Sequence, residues 1–142
     1  MASTVGYVTP VELCALLRAD APSTRVVDVR EGDRVHGCIR GSLSAPAWSL
    51  QDDAGVDTLV KATLGDARVS RVVFHCHFSQ QRGPAAAAAF ARRLGRLGAT
   101  IDGGRRLQVL ILSGGWRGWY REYGSDATLT QRLPGGAEGS DE

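Results

Sequence analysis

Short apolar runs alternate with segments of helical spacing along this chain of 142 residues. Residues 25–30, 71–74 and 107–112 are rich in valine, leucine and isoleucine and predict buried strands, the last of them central and parallel. Weaker strand patterns occupy residues 7–8 and 39–43. By contrast, apolar side chains three or four positions apart predict helices in three segments, namely residues 57–64, 85–97 and 116–123.

Local signals mark where two of the helices begin or end. Thr9 and Glu12 form a capping box, so a helix should begin at Pro10. Gly98 should end the long alanine-rich helix, before a polar loop at residues 100–106. Because strands and helices alternate, we expect an α/β three-layer domain with a central, mostly parallel sheet and helices on both faces.

Composition narrows the class of protein. The length suits one compact domain, and the 17 basic residues are scattered at a net charge of +2, which argues against nucleic-acid binding. No uncharged run approaches the ~20 residues needed to span a bilayer, and the N-terminus has no signal-peptide pattern. We therefore expect a cytoplasmic or nuclear protein. Residues 135–142 are rich in glycine and acidic side chains, so we expect this tail to be disordered. The sequence leaves the oligomeric state open.

The cysteines point to a reducing compartment. Cys14, Cys38 and Cys76 are an odd number without metal-ligand spacing, so we predict neither a disulfide framework nor a metal site. Cys14 falls on the apolar positions of the first helix and should lie in the core. Cys76 is then available as a free thiol.

The strongest chemical signal is the strand–loop–helix sequence of residues 71–89. Cys76 follows the strand, five residues separate it from Arg82, and Gly83-Pro84 opens the alanine-rich helix. A loop that ends at a helix N-terminus presents unpaired N–H groups and the positive end of the helix dipole. The sequence therefore predicts an anion site.

Two side chains give this predicted anion site its chemistry. The planar guanidinium of Arg82 suits a tetrahedral oxyanion such as phosphate, arsenate or sulfate. The same field should favour the thiolate form of Cys76, which makes Cys76 a nucleophile aimed at phosphorus, arsenic or sulfur. Asp28, Arg30 and residues 113–115 also lie at the carboxyl ends of predicted strands, at the sheet edge where ligands bind in α/β folds.

These segments resemble a known family. Asp28-Val29-Arg30, residues 37–42, the residues from His75-Cys76 to Arg82-Gly83-Pro84, and residues 112–116 together resemble a single rhodanese-fold domain of the Cdc25 phosphatase type. The chain is most similar to the small arsenate reductases of eukaryotes, some of which are also described as Cdc25-like phosphatases. The resemblance covers residues 7–123, and leaves residues 1–6 and 124–142 as N-terminal and C-terminal extensions.

The resemblance implies roles for the residues of the loop. Cys76 would be the nucleophile and Arg82 the oxyanion ligand. The backbone of the intervening residues would complete the oxyanion cradle: His77, Phe78, Ser79, Gln80 and Gln81. Rhodanese sulfurtransferases have a loop one residue shorter, so the spacing favours phosphate or arsenate over sulfur transfer.

The chain also departs from its apparent relatives. Cdc25 phosphatases carry acidic residues in this loop as proposed proton donors, whereas here there are none, and His77 is one substitute candidate. Thiol attack on arsenate expels water and needs such an acid less, which favours a reductase. Cys38 stands where many relatives have histidine, either as a resolving thiol or, as we favour, as a small buried residue. Without a resolving cysteine, the resemblance implies glutathione and glutaredoxin as the reductant.

Several neighbouring side chains have two interpretations each. His75 is favoured as a buried residue that holds the loop by hydrogen bonds rather than as a proton donor. Ser79 could hydrogen-bond the thiolate or cap the loop, and Asp28 could anchor Arg82 or cap its own turn. Trp116, Trp119 and Tyr120 are interpreted as core aromatics and left out of the site.

The sequence thus predicts a cysteine-dependent arsenate reductase that uses glutathione and glutaredoxin. The alternative is a Cdc25-like tyrosine or dual-specificity phosphatase that works through a phosphocysteine at the same site. A thiosulfate-type sulfurtransferase and a non-catalytic phosphopeptide-binding module are less favoured.

Overall fold

The computed structural model describes residues 5–102 and 106–133 of the chain. Within them, five strands form one parallel sheet in the order β1-β6-β5-β2-β4, and β3 pairs with β7 in a small antiparallel sheet. The strands are β1 Val5–Val8, β2 Thr24–Asp28, β3 Gly37–Ile39, β4 Leu43–Ser44, β5 Arg71–His75, β6 Gln108–Leu112 and β7 Thr130–Arg132. The helices are α1 Pro10–Asp20, α2 Asp53–Leu64, α3 Arg82–Asp102 and α4 Gly115–Tyr123.

Helices cover both faces of the sheet, as expected from the alternating pattern. One core lies between the sheet and the helices α2 and α3, and includes the fully buried Phe74 and Phe90. The other lies between the sheet and the helices α1 and α4, and includes Leu13, Trp116 and Trp119. Strands covered on both faces can be apolar along their whole length, which explains the continuous apolar runs of β5 and β6.

Most predicted elements are present, and the capping box is one confirmed detail. The Thr9 side chain accepts from the Glu12 backbone N–H at 3.1 Å, and Glu12 accepts from the Thr9 N–H at 2.9 Å. The strand predicted at residues 107–112 is central and parallel, between β1 and β5. Cys14 is buried, as predicted.

Some helix boundaries were predicted wrongly. The helix α3 begins at Arg82 and continues through Gly98 to Asp102, because one glycine costs a packed helix only about 1 kcal/mol relative to alanine. The predicted loop therefore does not begin at residue 100, although residues 103–105 of it lie outside the described residues. The helix α2 begins at Asp53 rather than at residue 57, because the Asp52 side chain caps it through the Gly55 N–H at 2.9 Å.

Other differences lie at the sheet edges and on the last helix. The strand predicted at residues 39–43 is two strands, β3 and β4, because Gly41 adopts a φ of +83° and turns the chain between them. The strand β1 starts at Val5, two residues before the predicted start, and β7 follows the helix that was expected to close the domain. Tyr120 is 51% exposed, so it is not a core aromatic like Trp116 and Trp119. The tail of residues 135–142 lies outside the described residues.

Candidate active site

The site lies where β2 and β5 end side by side. In the parallel pairing of these strands Asp28 is opposite His75, and both side chains are fully buried. Cys76 is the next residue, and the loop of residues 76–81 then leads into α3. The sheet therefore places the cysteine beside the segment that follows β2.

The thiol of Cys76 faces the N-terminus of a long helix. Its Sγ accepts a hydrogen bond from the backbone N–H of Gly83 at 3.3 Å, in the first turn of α3. A side chain at Gly83 would place a Cβ 3.2 Å from the Cys76 backbone nitrogen. Glycine at this position thus allows the helix to approach the sulfur closely. A helix N-terminus and a donated N–H both stabilise a thiolate.

The loop leaves its own N–H groups free to bind an anion. Among the residues that the structure describes, no acceptor takes the backbone N–H groups of residues 77–82. Ser79 stands in the left-handed region at a φ of +59°, which bends the loop halfway along. Consecutive unpaired N–H groups around such a bend form a concave anion-binding cradle.

Ser79 does neither of the two things that its sequence position suggested. Its hydroxyl is buried and has no hydrogen-bond partner within the described part of the chain, so it neither hydrogen-bonds the Cys76 sulfur nor caps the loop through a hydrogen bond. Buried polar groups in proteins are nearly always hydrogen-bonded, so a buried hydroxyl without a protein partner is a donor that a ligand or water can satisfy. The Ser79 hydroxyl is therefore one more donor without a partner in the described residues, in the same loop as the N–H groups of residues 77–82.

Arg82 forms a bidentate ion pair with Asp33, a residue that the sequence analysis missed. Nη1 and Nη2 of Arg82 donate to the two carboxylate oxygens at 2.9 and 2.7 Å, and Glu31 lies 3.8 Å away. These hydrogen bonds raise the pKa of Arg82, and the charges of Asp33 and Cys76 act in the same direction. They also hold the pKa of the Asp33 carboxyl well below its usual range.

Asp28 has other partners, so the suggested Asp28–Arg82 anchor is wrong. It accepts the Arg30 backbone N–H at 3.0 Å and the Arg30 guanidinium at 2.7 Å, and Arg34 at 3.0 Å. Arg30 is itself fully buried and stacks 4.6 Å from the centre of the Trp116 ring. Burial raises the pKa of Asp28, but its hydrogen bonds with Arg30 and the positive charge of that guanidinium outweigh this effect, and the pKa is lowered.

The His75 side chain contacts the backbone of the loop. Its Nδ1 lies 3.0 Å from the carbonyl oxygen of Cys76, and its Nε2 lies 3.9 Å from the Asp28 carboxylate without a hydrogen-bond partner among the described residues. Complete burial lowers the pKa of His75 although Asp28 opposes this shift. A neutral ring that donates from Nδ1 satisfies the Cys76 carbonyl and orients the loop.

The helix α4 holds the same loop from the other side. The backbone N–H groups of Trp116 and Arg117 donate to the carbonyls of Cys76 and His77 at 2.9 and 3.0 Å. Gly115, at a φ of +59°, approaches so closely that a Cβ there would lie 2.6 Å from both carbonyl oxygens. The two glycines after β6 thus bring a second helix N-terminus against the loop.

The other loop side chains face outward to different extents. His77 is half-buried with its ring edge-on to Phe78, the ring centres 4.5 Å apart, and burial lowers its pKa. Phe78 is 49% exposed, and Gln80 and Gln81 are exposed. None of them supplies a carboxylate, and the carboxylates that contact Arg82 come from the segment after β2.

The remaining cysteines are not paired with Cys76. All three thiols are free, and Cys38 is buried within β3, opposite Gln131 of β7. Within residues 5–102 and 106–133, no cluster of three or more His, Cys, Asp or Glu side chains could hold a metal ion. In the same residues, no helix has both the length and the apolar character needed to cross a membrane.

The chain is similar in sequence to known proteins. The family model of the rhodanese-like domain matches residues 9–122. The Cdc25-like phosphatase YCH1 of Saccharomyces cerevisiae is 32% identical over 138 residues, which cover 90% of each chain. Arsenical-resistance protein 2 of the same yeast is 27% identical over 118 residues, covering 81% of this chain and 88% of the relative.

The chain is also similar in structure to a solved protein. The As-Sb reductase from Leishmania major superposes with a TM-score of 0.75 at 30% identity, over 89% of this chain and 85% of that one. The chain therefore belongs to the family of rhodanese-like domains, in which its relatives include a Cdc25-like phosphatase and an arsenical-resistance protein.

Proposed function

We propose that this protein is an enzyme that reduces arsenate to arsenite, with Cys76 as the nucleophile and glutathione and glutaredoxin as the reductant. The observation that carries the proposal is the Cys76 sulfur at the N-terminus of α3, 3.3 Å from the Gly83 nitrogen and surrounded by a loop of unpaired N–H groups. Arsenate and phosphate have the shape and charge that such a cradle binds.

Binding would place the arsenic beside the sulfur. The N–H groups of residues 77–82 and the hydroxyl of Ser79 are donors without partners in the described part of the chain, and Arg82 adds a full positive charge. Donors fixed in advance in this way stabilise negative charge on the oxyanion without having to reorganise.

The chemistry would proceed in two steps. The Cys76 thiolate attacks arsenic, an S–As bond forms, and a protonated oxygen leaves as water. The thiolate of glutathione then attacks the Cys76 sulfur and the S–As bond breaks. Its electron pair stays on arsenic, which leaves as arsenite, while the two sulfurs form a mixed disulfide. Glutaredoxin would reduce that disulfide and return Cys76 to the thiol.

The loop favours this reaction over ester hydrolysis. A phosphatase must protonate an alkoxide or phenoxide leaving group, and the loop contains no carboxylic acid for that purpose. Asp33 and Glu31 are the carboxylates near Arg82, and the pKa of Asp33 is lowered by its hydrogen bonds with Arg82, so its resting state is the charged one. The arsenical-resistance relative and the As-Sb reductase support the same choice.

A second candidate is a protein phosphatase that works through a phosphocysteine at the same site. The 32% identity with a yeast Cdc25-like phosphatase supports it, and the cradle would accept a phosphate monoester as readily as arsenate. In that case His77, half-buried in the loop, is the candidate proton donor that the loop itself offers.

The test is a side-by-side assay of the purified protein and its Cys76→Ser variant. One arm measures arsenite formed from arsenate with glutathione and glutaredoxin, and the other measures phosphate released from a small aryl phosphate. We expect arsenite formation that is lost in the variant, with little phosphate release. Fast phosphate release without arsenite would establish the second candidate, and full activity of Cys76→Ser would exclude both.

If the protein is such a reductase, the thiol-based reductant places it in a reducing compartment, and we propose the cytoplasm, with the nucleus as the alternative. Its partners would then be a small oxyanion and a glutaredoxin rather than nucleic acid or a lipid surface.

A further inference from the structure

The ion pair between Arg82 and Asp33 uses only one edge of the guanidinium. Asp33 meets the two terminal nitrogens end-on, at 2.9 and 2.7 Å. The Arg82 Nε–H has no partner among the described residues. A guanidinium carries five N–H donors, so the Nε edge still offers a second fork of two parallel donors. Two carboxylate-like ligands can therefore share this one side chain.

Asp33 lies outside the oxyanion cradle. None of the unpaired N–H groups of residues 77–82 donates to its carboxylate, and its side chain is 40% exposed. A carboxylate that imitated a bound oxyanion would accept those N–H groups as well as the guanidinium. Asp33 instead pairs with the Arg82 guanidinium, and the N–H groups of residues 77–82 stay without an acceptor among the described residues.

The segment that carries Asp33 is itself fixed to the buried part of the site. The Asp33 carboxylate also accepts the Glu31 backbone N–H at 2.9 Å, and the Val35 N–H donates to the Asp33 carbonyl at 3.0 Å. Arg34, the next side chain, donates to the fully buried Asp28 at 3.0 Å. Asp33 is therefore a supported anchor rather than a freely moving side chain.

We propose that Asp33 is the positioning residue of Arg82: it holds the guanidinium end-on so that the Nε edge faces the Cys76 loop and binds the oxyanion. This inference rests on the proposed function, since it assigns a role toward the same oxyanion. It also explains how a residue at the mouth of the site keeps a long, flexible arginine in one orientation. Glu31, at 3.8 Å, contributes charge without a fork.

The experiment measures oxyanion binding without turnover. Inorganic phosphate and arsenate are titrated as protectants of Cys76 against iodoacetamide, and the half-protecting concentration is compared between variants. Asp33→Ala is expected to raise that concentration about 10- to 100-fold, as for the loss of a supporting group. Asp33→Asn, which keeps one acceptor oxygen, should lie in between. The matched control Glu31→Gln should change it less than about fivefold, as for a screened surface pair.

A double variant separates positioning from a general structural effect. In an Arg82→Ala background, Asp33→Ala should have no further effect on protection, because its partner is already gone. Unchanged melting temperatures keep the comparison valid, and Asp33→Asn replaces Asp33→Ala if the latter unfolds.

Each outcome has one meaning. Tighter oxyanion binding in Asp33→Ala would show that Asp33 competes with the oxyanion and would overturn the inference. Unchanged binding in this variant would overturn it as well. If Arg82→Ala itself leaves protection by phosphate and arsenate unchanged, the oxyanion site is misassigned and the proposed function fails as well. Loss in Arg82→Ala without loss in Asp33→Ala overturns the inference alone.

Discussion

The backbone N–H of Trp116 donates to the carbonyl oxygen of Cys76 at 2.9 Å. This bond ties the second residue of α4 to Cys76, in a loop forty positions earlier in the chain. It is possible only because Gly114 and Gly115 both adopt positive φ angles, of +77° and +59°. The geometry of the site thus depends on a turn that contributes no side chain to it.

Gly115→Ala should destabilise the protein strongly. A Cβ at this position would overlap the carbonyl oxygens of Cys76 and His77, and the positive φ adds a strain of about 1–2 kcal/mol. The total loss should exceed about 2 kcal/mol in urea unfolding. Gly41→Ala is the matched control for strain, because its φ is +83° but no atom lies within 4 Å of the added Cβ. A Gly115→Ala variant no less stable than Gly41→Ala would contradict the close contact with the loop.

Stability should fall as the pH drops below about 6.5, the ordinary pKa of histidine. Burial lowers the pKa of His75 in the folded protein, so the unfolded chain binds a proton that the folded chain excludes. The free energy of unfolding therefore decreases by up to about 1.4 kcal/mol per pH unit between 6.5 and the lowered pKa. His77, whose pKa is also lowered by burial, adds to the same slope.

The measurement is chemical unfolding of the wild type and of His75→Gln across this pH range. His75→Gln should be less stable at pH 8 but should lose part of the slope. His77→Gln is the companion variant that reports the smaller contribution. An equal slope in all three proteins would mean that neither ring is kept neutral by burial.

Deleting residues 125–142 should destabilise the domain, whereas deleting only residues 134–142 should not. The longer deletion removes β7, the buried Leu129 and the acceptor Thr130, to which Trp119 donates its indole N–H at 2.9 Å. Loss of the Leu129 side chain alone typically costs about 2–5 kcal/mol. Thermal unfolding of the two truncated proteins checks this, and equal stability would place the domain boundary before residue 125.

If the protein is the proposed arsenate reductase, Cys38→Ser should leave the rate of arsenite formation unchanged when glutathione and glutaredoxin are in excess. Cys38 is 3% exposed within β3, and its thiol is free, so no disulfide bond joins it to Cys76. The rate of arsenite formation is the readout, with Cys14→Ser as the matched buried thiol. A selective loss in Cys38→Ser would give Cys38 a part in the reduction.

Much of the site could be predicted because its central signal is local. Cys76, Arg82 and Gly83 lie within one strand–loop–helix unit, whose geometry follows from a strand end, a short loop and a helix N-terminus. The capping box of Thr9 and Glu12 is similarly contained in four residues. Interactions this short are encoded by neighbouring residue types, so spacing alone indicates them.

The errors concern partners that are distant in sequence. The sequence suggests Asp28 as a possible anchor of Arg82, but in the fold Arg82 pairs with Asp33, 49 positions away. The sequence contains only a weak signal for Asp33. It is an acidic residue in the segment after β2, and β2 is expected to end at the same sheet edge as the Cys76 loop. Asp28 is taken by Arg30, because a buried carboxylate must be paired where it lies.

The sequence by itself determined the class of fold and the strand–loop–helix unit that carries Cys76 and Arg82. It could do so because apolar periodicity and the strand–loop–helix spacing act over fewer than about 20 residues. Only the tertiary structure decided which carboxylate holds Arg82, that α4 fixes the loop carbonyls, and that β7 completes the second core through Trp119 and Thr130. These contacts join segments that the sheet brings together. Which charge or donor pairs with which acceptor therefore depends on distances in the fold and not on separation along the chain.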